Sequence, residues 1–94
     1  MAPLSDAEVE QRLAEVGQWR RGDGPEIVRE LKFDDFAAAI AFVDRVAELA
    51  EQANHHPDIL VHGWNRVRLT LSTHSAGGLT DADFELADLL QAIV

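Results

Sequence analysis

The 94 residues carry a formal net charge of −9, an apolar content of 47%, 27% charged residues and no cysteine. This composition is typical of one small globular domain and excludes a disordered chain, a disulfide framework and a thiolate zinc site. The acidic balance disfavours nucleic-acid binding, and the absence of a signal-peptide pattern and of any apolar run of ~20 residues predicts a cytoplasmic protein without a membrane partner.

The first predicted element is a helix over residues 5–17. Ser5 and Glu8 have the spacing of a capping box, in which each side chain accepts a hydrogen bond from a free backbone N–H of the first turn. Apolar residues recur at i, i+4 and i+7 from Val9 and form one face. Gly17 is expected to end the helix in a left-handed conformation.

Two strands are predicted next, at residues 18–21 and 26–33, and the glycine- and proline-rich segment 22–25 is the turn between them. Apolar side chains of the second strand alternate on one side, as expected for a strand with one covered face. Arg29 falls on that same side, so it is an exception to the pattern.

A long helix is predicted to begin at Asp34 or Asp35 and to end before Pro57, because a proline disfavours helical geometry in the residue before it. Glu51 and His55 lie four residues apart at its end, a spacing that lets two side chains face each other. The apolar stripe is wide enough to contact more than one neighbour, including another subunit. It comprises Phe36, Ile40, Val43, Ala47 and Ala50, widened by Phe42, Val46 and Leu49.

A second hairpin is predicted from strands at residues 59–64 and 66–73. Apolar residues of its second strand share one face, and continuing that alternation puts His74 on the opposite, polar face. Thr80 and Asp83 repeat the capping arrangement and begin a last helix. Its apolar residues are Leu86, Leu89, Leu90 and Ile93.

These elements predict a single α+β domain over residues 1–94 in the order α-β-β-α-β-β-α. The expected architecture is a four-stranded antiparallel sheet with three helices packed on one face.

Three of the four histidines, His55, His56 and His74, lie at the ends of a predicted helix and a predicted strand. Histidine gives and takes protons near neutral pH, so this set could provide a general acid and a general base for an elimination or hydration. No activated nucleophile and no glycine pattern for nucleotide binding is present. Proton transfer is therefore the chemistry that the residues favour.

Two other interpretations remain open from the residues alone. The histidine pair before proline could cap the helix end and bond only to backbone groups. A metal site could use nitrogen ligands from His55, His56, His62 and His74, although adjacent histidines in extended chain point in opposite directions and no HExxH spacing occurs.

Four short motifs stand at characteristic separations in the second half of the chain. They are Glu51-x-x-x-His55-His56-Pro57, Trp64-Asn65-x-Val67, Leu71-Ser72-Thr73-His74, and Gly78-Leu79-Thr80 with Asp83. This set resembles the pterin-4a-carbinolamine dehydratase family from the second helix to the C-terminus. The element order also agrees with the fold of that family.

The resemblance implies a cofactor-free and metal-free dehydratase that removes water from 4a-hydroxytetrahydropterin to give quinonoid dihydropterin, which a reductase recycles. It implies that His55 and His74 protonate the departing hydroxyl, that His56 holds the substrate and takes the N5 proton, and that Glu51 orients His55. The remaining residues that it implies at the pterin pocket are Asn54, the backbone of Ser72, Thr73 and Ser75, and Asp83.

Two positions depart from the family pattern and bear on substrate preference: Ile59 replaces a frequent tryptophan, and Asn54 replaces a frequent aspartate. The resemblance also implies a homodimer or homotetramer, which agrees with the exposed sheet edges expected of so small a sheet. A different class of function, a protein-binding module used for dimerisation or assembly of a partner, is the alternative. Retention of Glu51 and the three histidines favours the enzyme.

Overall fold

The computed structural model describes residues 2–94 and confirms the α+β architecture and its element order. The helices are α1 (Asp6–Val16), α2 (Phe36–Ala53) and α3 (Asp81–Gln91), and a single 3-10 turn spans His74–Ala76. The strands are β1 (Arg20–Arg21), β2 (Ile27–Lys32), β3 (Asp58–His62) and β4 (Arg66–Leu71).

The sheet is antiparallel throughout, with the spatial order β1-β2-β4-β3. The two hairpins therefore meet through β2 and β4, where Ile27 pairs with Leu71. One face of the sheet is covered by all three helices, and the side chains between them form the core. The fully buried members include Ile27, Val46, Val67, Leu69, Leu71, Phe84, Leu86 and Leu90.

The capping predictions for α1 and α3 are confirmed. Ser5 and Glu8 exchange the two hydrogen bonds of a capping box, Glu8 N–H to Ser5 Oγ at 3.2 Å and Ser5 N–H to Glu8 Oε1 at 3.0 Å. These hydrogen bonds lower the pKa of the Glu8 carboxyl. At the start of α3, the Thr80 N–H donates to Asp83 Oδ2 at 2.9 Å. Of the two candidates for the cap of α2, Asp35 accepts from the Ala38 N–H.

Arg29 lies on the helix-covered face, as its position in the alternation requires, and is only 4% exposed. Its Nη1 donates to Oε1 of Gln91 at 2.9 Å, while its Nε has no hydrogen-bond partner among residues 2–94. Burial lowers the pKa of the Arg29 guanidinium. A buried cation with one amide partner adds little to the stability of the fold. The helix-covered face of the sheet is therefore stabilised by the apolar side chains around Arg29.

Two details of the predicted helix faces are wrong. Phe36 is 54% exposed and Ala47 is also exposed, because α2 rests on the sheet through Ala39, Phe42, Val46 and Ala50. An apolar stripe this wide fits the sheet in more than one rotational setting, and periodicity does not select among them. Leu89 of α3 is likewise exposed, whereas Leu86 and Leu90 are buried.

Gly17 has a positive φ of 54°, as predicted, but its ψ of 139° is not that of a left-handed helix. Gln18 also has a positive φ, of 59°, and the chain then reaches the short strand β1 at Arg20.

Candidate functional site

The end of α2 directs His55 towards the start of α3. Asn54 caps the helix in a left-handed conformation, with φ 51° and ψ 40°, and the His55 N–H donates to the Ala50 carbonyl at 3.1 Å. This reversal turns the His55 ring inward, where its Nε2 lies 2.6 Å from Oδ1 of Asp83. Because an ionised carboxylate can only accept, Nε2 carries the proton and donates it to Asp83.

Asp83 is fully buried, with 0% of its side chain exposed, whereas the His55 side chain is 15% exposed. The other carboxylate oxygen, Oδ2, accepts from the Thr80 N–H at 2.9 Å and from Thr73 Oγ1 at 2.8 Å. The first turn of α3 also favours a negative charge, since its free N–H groups and the helix dipole are positive there. The arrangement is a buried carboxylate that fixes one ring nitrogen of a mostly buried histidine.

The predicted pairing of Glu51 with His55 is wrong, since Glu51 contacts His56 instead. Oε2 of Glu51 makes a short hydrogen bond with Nε2 of His56, and both side chains are exposed. The i, i+4 relation applies only within a helix, and α2 ends at Ala53. The left-handed cap at Asn54 turns His55 away and brings His56 back over the last helical turn.

His74 is exposed, as predicted, but through a turn and not through a strand. Strand β4 ends at Leu71, and His74 begins the 3-10 turn. Its ring makes no side-chain hydrogen bond within the part of the chain that the structure describes. A free imidazole at the surface of a cleft can exchange protons with a bound ligand.

A cleft of about 220 Å³ lies beside His74. Ser72 and Thr73 line it, in agreement with the sequence prediction, and so do four residues that the sequence analysis missed, Pro25, Glu26, Gly77 and Gly78. Glu26 reaches the cleft because it directly precedes β2, whose first residue Ile27 pairs with Leu71 at the end of β4. That pairing joins strands from different hairpins, so no local pattern predicts it.

The other predicted site residues divide into two groups. Asn54 and Ser75 are exposed on the segments that carry His55 and His74. His62 lies at the far end of β3, where it lines a different cleft with Lys32 and Arg66. Among residues 2–94, no group of three or more His, Asp or Glu side chains is arranged to hold a metal ion.

The model of the family described as "Pterin 4 alpha carbinolamine dehydratase" matches residues 2–93. The chain belongs to this family. A protein of Acidobacterium capsulatum named "Putative pterin-4-alpha-carbinolamine dehydratase" is 51% identical over 94 residues, which is the full length of both chains. A protein of the same name from Chloroflexus aggregans is also 51% identical, over 100% of this chain and 99% of its own.

Solved structures of family members agree with the fold. A transcriptional coactivator/pterin dehydratase from Brucella melitensis superposes with a TM-score of 0.90, at 37% identity and with 97% of each chain covered. A pterin dehydratase-like protein described as a RuBisCO assembly factor in the alpha-carboxysome superposes with a TM-score of 0.66, at 28% identity. That match covers 81% of this chain and 88% of the neighbour. No helix in the described range 2–94 could cross a membrane.

Proposed function

We propose that this member of the family is an active dehydratase that converts 4a-hydroxytetrahydropterin to quinonoid dihydropterin and water. The observation that carries the proposal is the buried Asp83 carboxylate bonded to Nε2 of His55, in a chain that also retains His56 and His74. A carboxylate that fixes a histidine ring also stabilises its protonated form, which is the form needed to protonate a departing hydroxyl.

The proposed elimination breaks the C4a–O bond. The N5 electron pair forms the C4a=N5 double bond as the hydroxyl leaves with a proton from an imidazolium, and a base then removes the N5 proton. Since Nε2 of His55 is bonded to Asp83, its acid proton is the one on Nδ1. His74 is the second acid. No cofactor or metal is required by these steps.

His56 is the proposed base for N5. Its contact with Glu51 supports a revised role for that carboxylate, which would stabilise the imidazolium formed when His56 accepts the proton. Both groups are exposed, so water weakens this interaction, and we expect Glu51 to contribute less than Asp83. Substrate binding is assigned to Asn54, Ser72, Ser75 and the cleft beside His74.

The direct test is the rate of 4a-hydroxytetrahydropterin loss, followed by ultraviolet absorbance with wild type, with His55→Ala and without protein. Wild type is expected to accelerate the loss, and His55→Ala to lose about 10²–10⁴-fold of that acceleration because an acid group is gone. His62→Ala is the matched control, since His62 lies in a different cleft, and it should retain wild-type turnover.

No acceleration by folded wild-type protein would contradict the proposal. The alternative, a protein-binding module, would then gain weight, because one solved neighbour is described as a coactivator and another as an assembly factor. Equal turnover by wild type and His55→Ala would instead leave a dehydratase whose acid is another group.

We also propose that the chain forms a homodimer or homotetramer. Strand β3 is an edge of the sheet, and Ile59 and Leu60 on it are exposed apolar residues. An edge strand with free backbone groups and apolar side chains favours pairing with a second copy. Light scattering is expected to give two or four times the 10.4 kDa chain mass. A mass of one chain across the working concentration range would exclude the assembly.

A further inference from the structure

The Thr73 hydroxyl is partly buried and lies between two other polar groups of the site. Its Oγ1 is 2.8 Å from Oδ2 of Asp83 and 2.9 Å from Oγ1 of Thr80. A hydroxyl has one proton to donate, and a carboxylate oxygen accepts only. Thr73 therefore donates to Asp83, and Thr80 must donate to Thr73, which sets the direction of both hydrogen bonds.

This arrangement leaves the Asp83 carboxylate one orientation. Oδ2 accepts two hydrogen bonds, from Thr73 Oγ1 and from the Thr80 N–H, so Oδ1 is the oxygen that faces His55. Rotation of the carboxylate would break all three contacts in a site with no exposed surface on Asp83. Without the Thr73 hydroxyl, Oδ2 keeps one donor and the carboxylate can turn.

The backbone around Thr73 is also held in place. Its N–H donates to the Gly78 carbonyl at 3.1 Å, and the two residues form an isolated antiparallel bridge. The side chain continues the alternation of Val67, Leu69 and Leu71, which all point to the helix-covered face. The sheet thus contributes Thr73 to the site, whereas helix ends contribute His55 and Asp83.

We infer that Thr73 is a positioning residue that orients Asp83, and through it the His55 ring, by means of its side-chain hydroxyl. This inference rests on the proposed function only for its effect on turnover. The family resemblance implies only a backbone contribution from Thr73, whereas the hydrogen bonds described above assign a role to its side chain. Thr80 supports the role by donating to the Thr73 oxygen.

The experiment compares Thr73→Val, Thr73→Ala and Thr73→Ser in the full chain, with turnover and the ¹⁵N chemical shifts of the histidine rings as readouts. The His55 signals are assigned by their loss in His55→Ala. Thr73→Val and Thr73→Ala are expected to reduce kcat about tenfold to a hundredfold with little change in KM, as for loss of a hydrogen bond to a charged group. Their His55 ring shifts should show a mixture of tautomers where wild type shows proton on Nε2.

Thr73→Ser keeps the hydroxyl and is expected to restore both kcat and the wild-type ring shifts. Thr70→Val is the matched control, because Thr70 lies on the uncovered face of β4 and should change neither readout. The inference is overturned if Thr73→Ala retains wild-type ring shifts, or if Thr73→Ser is as impaired as Thr73→Ala. Should wild type show no turnover, the proposed function fails, and the ring shifts alone decide the role of Thr73.

Discussion

Asp83→Asn is expected to reduce kcat by about 10²–10⁴-fold, the largest effect of any single change away from the histidines. The amide oxygen of the variant would accept the hydrogen bonds from Thr73 and Thr80, which leaves the NH₂ group facing His55. Nε2 of His55 must then accept, so its proton moves to Nδ1 and the ring loses the carboxylate that stabilises its charged form. Turnover of 4a-hydroxytetrahydropterin measures the effect.

A matched variant in the same helical turn separates this loss from a general disturbance of the site. Asp81→Asn is the matched control, since Asp81 lies in the same helical turn but is exposed and pairs with Arg12. It should retain wild-type kcat. A folded Asp83→Asn protein with kcat within about threefold of wild type would contradict the role of the His55–Asp83 pair.

His74→Ala is expected to reduce kcat by about 10²–10³-fold, because it removes the second proposed acid. The side chain is exposed and makes no hydrogen bond within residues 2–94, so its removal should change the melting temperature little. Steady-state kinetics and thermal unfolding followed by circular dichroism check the two parts. His74→Gln should be equally inactive, since glutamine can bond to substrate but cannot supply the proton.

The double variant His55→Ala/His74→Ala tests whether the two histidines act on the same step. Groups that act as a unit give strongly non-additive losses, so the double variant is expected to be only slightly less active than the worse single variant. Wild-type turnover by His74→Ala would remove His74 from the chemistry and leave His55 as the acid.

The helices, the two hairpins and their order were predictable from the sequence because their signals are local. Ser5 with Glu8, the alternation along β4, and Pro57 after the second helix each act within a few residues. The family resemblance, carried by motifs from Glu51 to Asp83, is likewise a property of the sequence, and the family model confirms it.

The partners of the histidines were not predictable, for a physical reason visible at Asn54. A single left-handed residue after α2 redirects the chain, so that His55 reaches Asp83 and Glu51 is left with His56. If α2 ended one residue earlier or later, His55 and His56 would be directed towards different partners. The apolar periodicity of the helix does not determine the residue at which it ends.

Local patterns in the amino-acid sequence are enough to predict the elements of this protein, its family and the residue types available for proton transfer. The tertiary structure is needed to show which carboxylate serves which histidine, that the Thr73 hydroxyl points towards Asp83, and that Glu26 lines the cleft. These contacts cross between elements: His55 lies 28 residues before Asp83 in the chain, and Glu26 reaches the cleft through the β2–β4 pairing. They depend on how complete elements pack together, which local propensity does not encode.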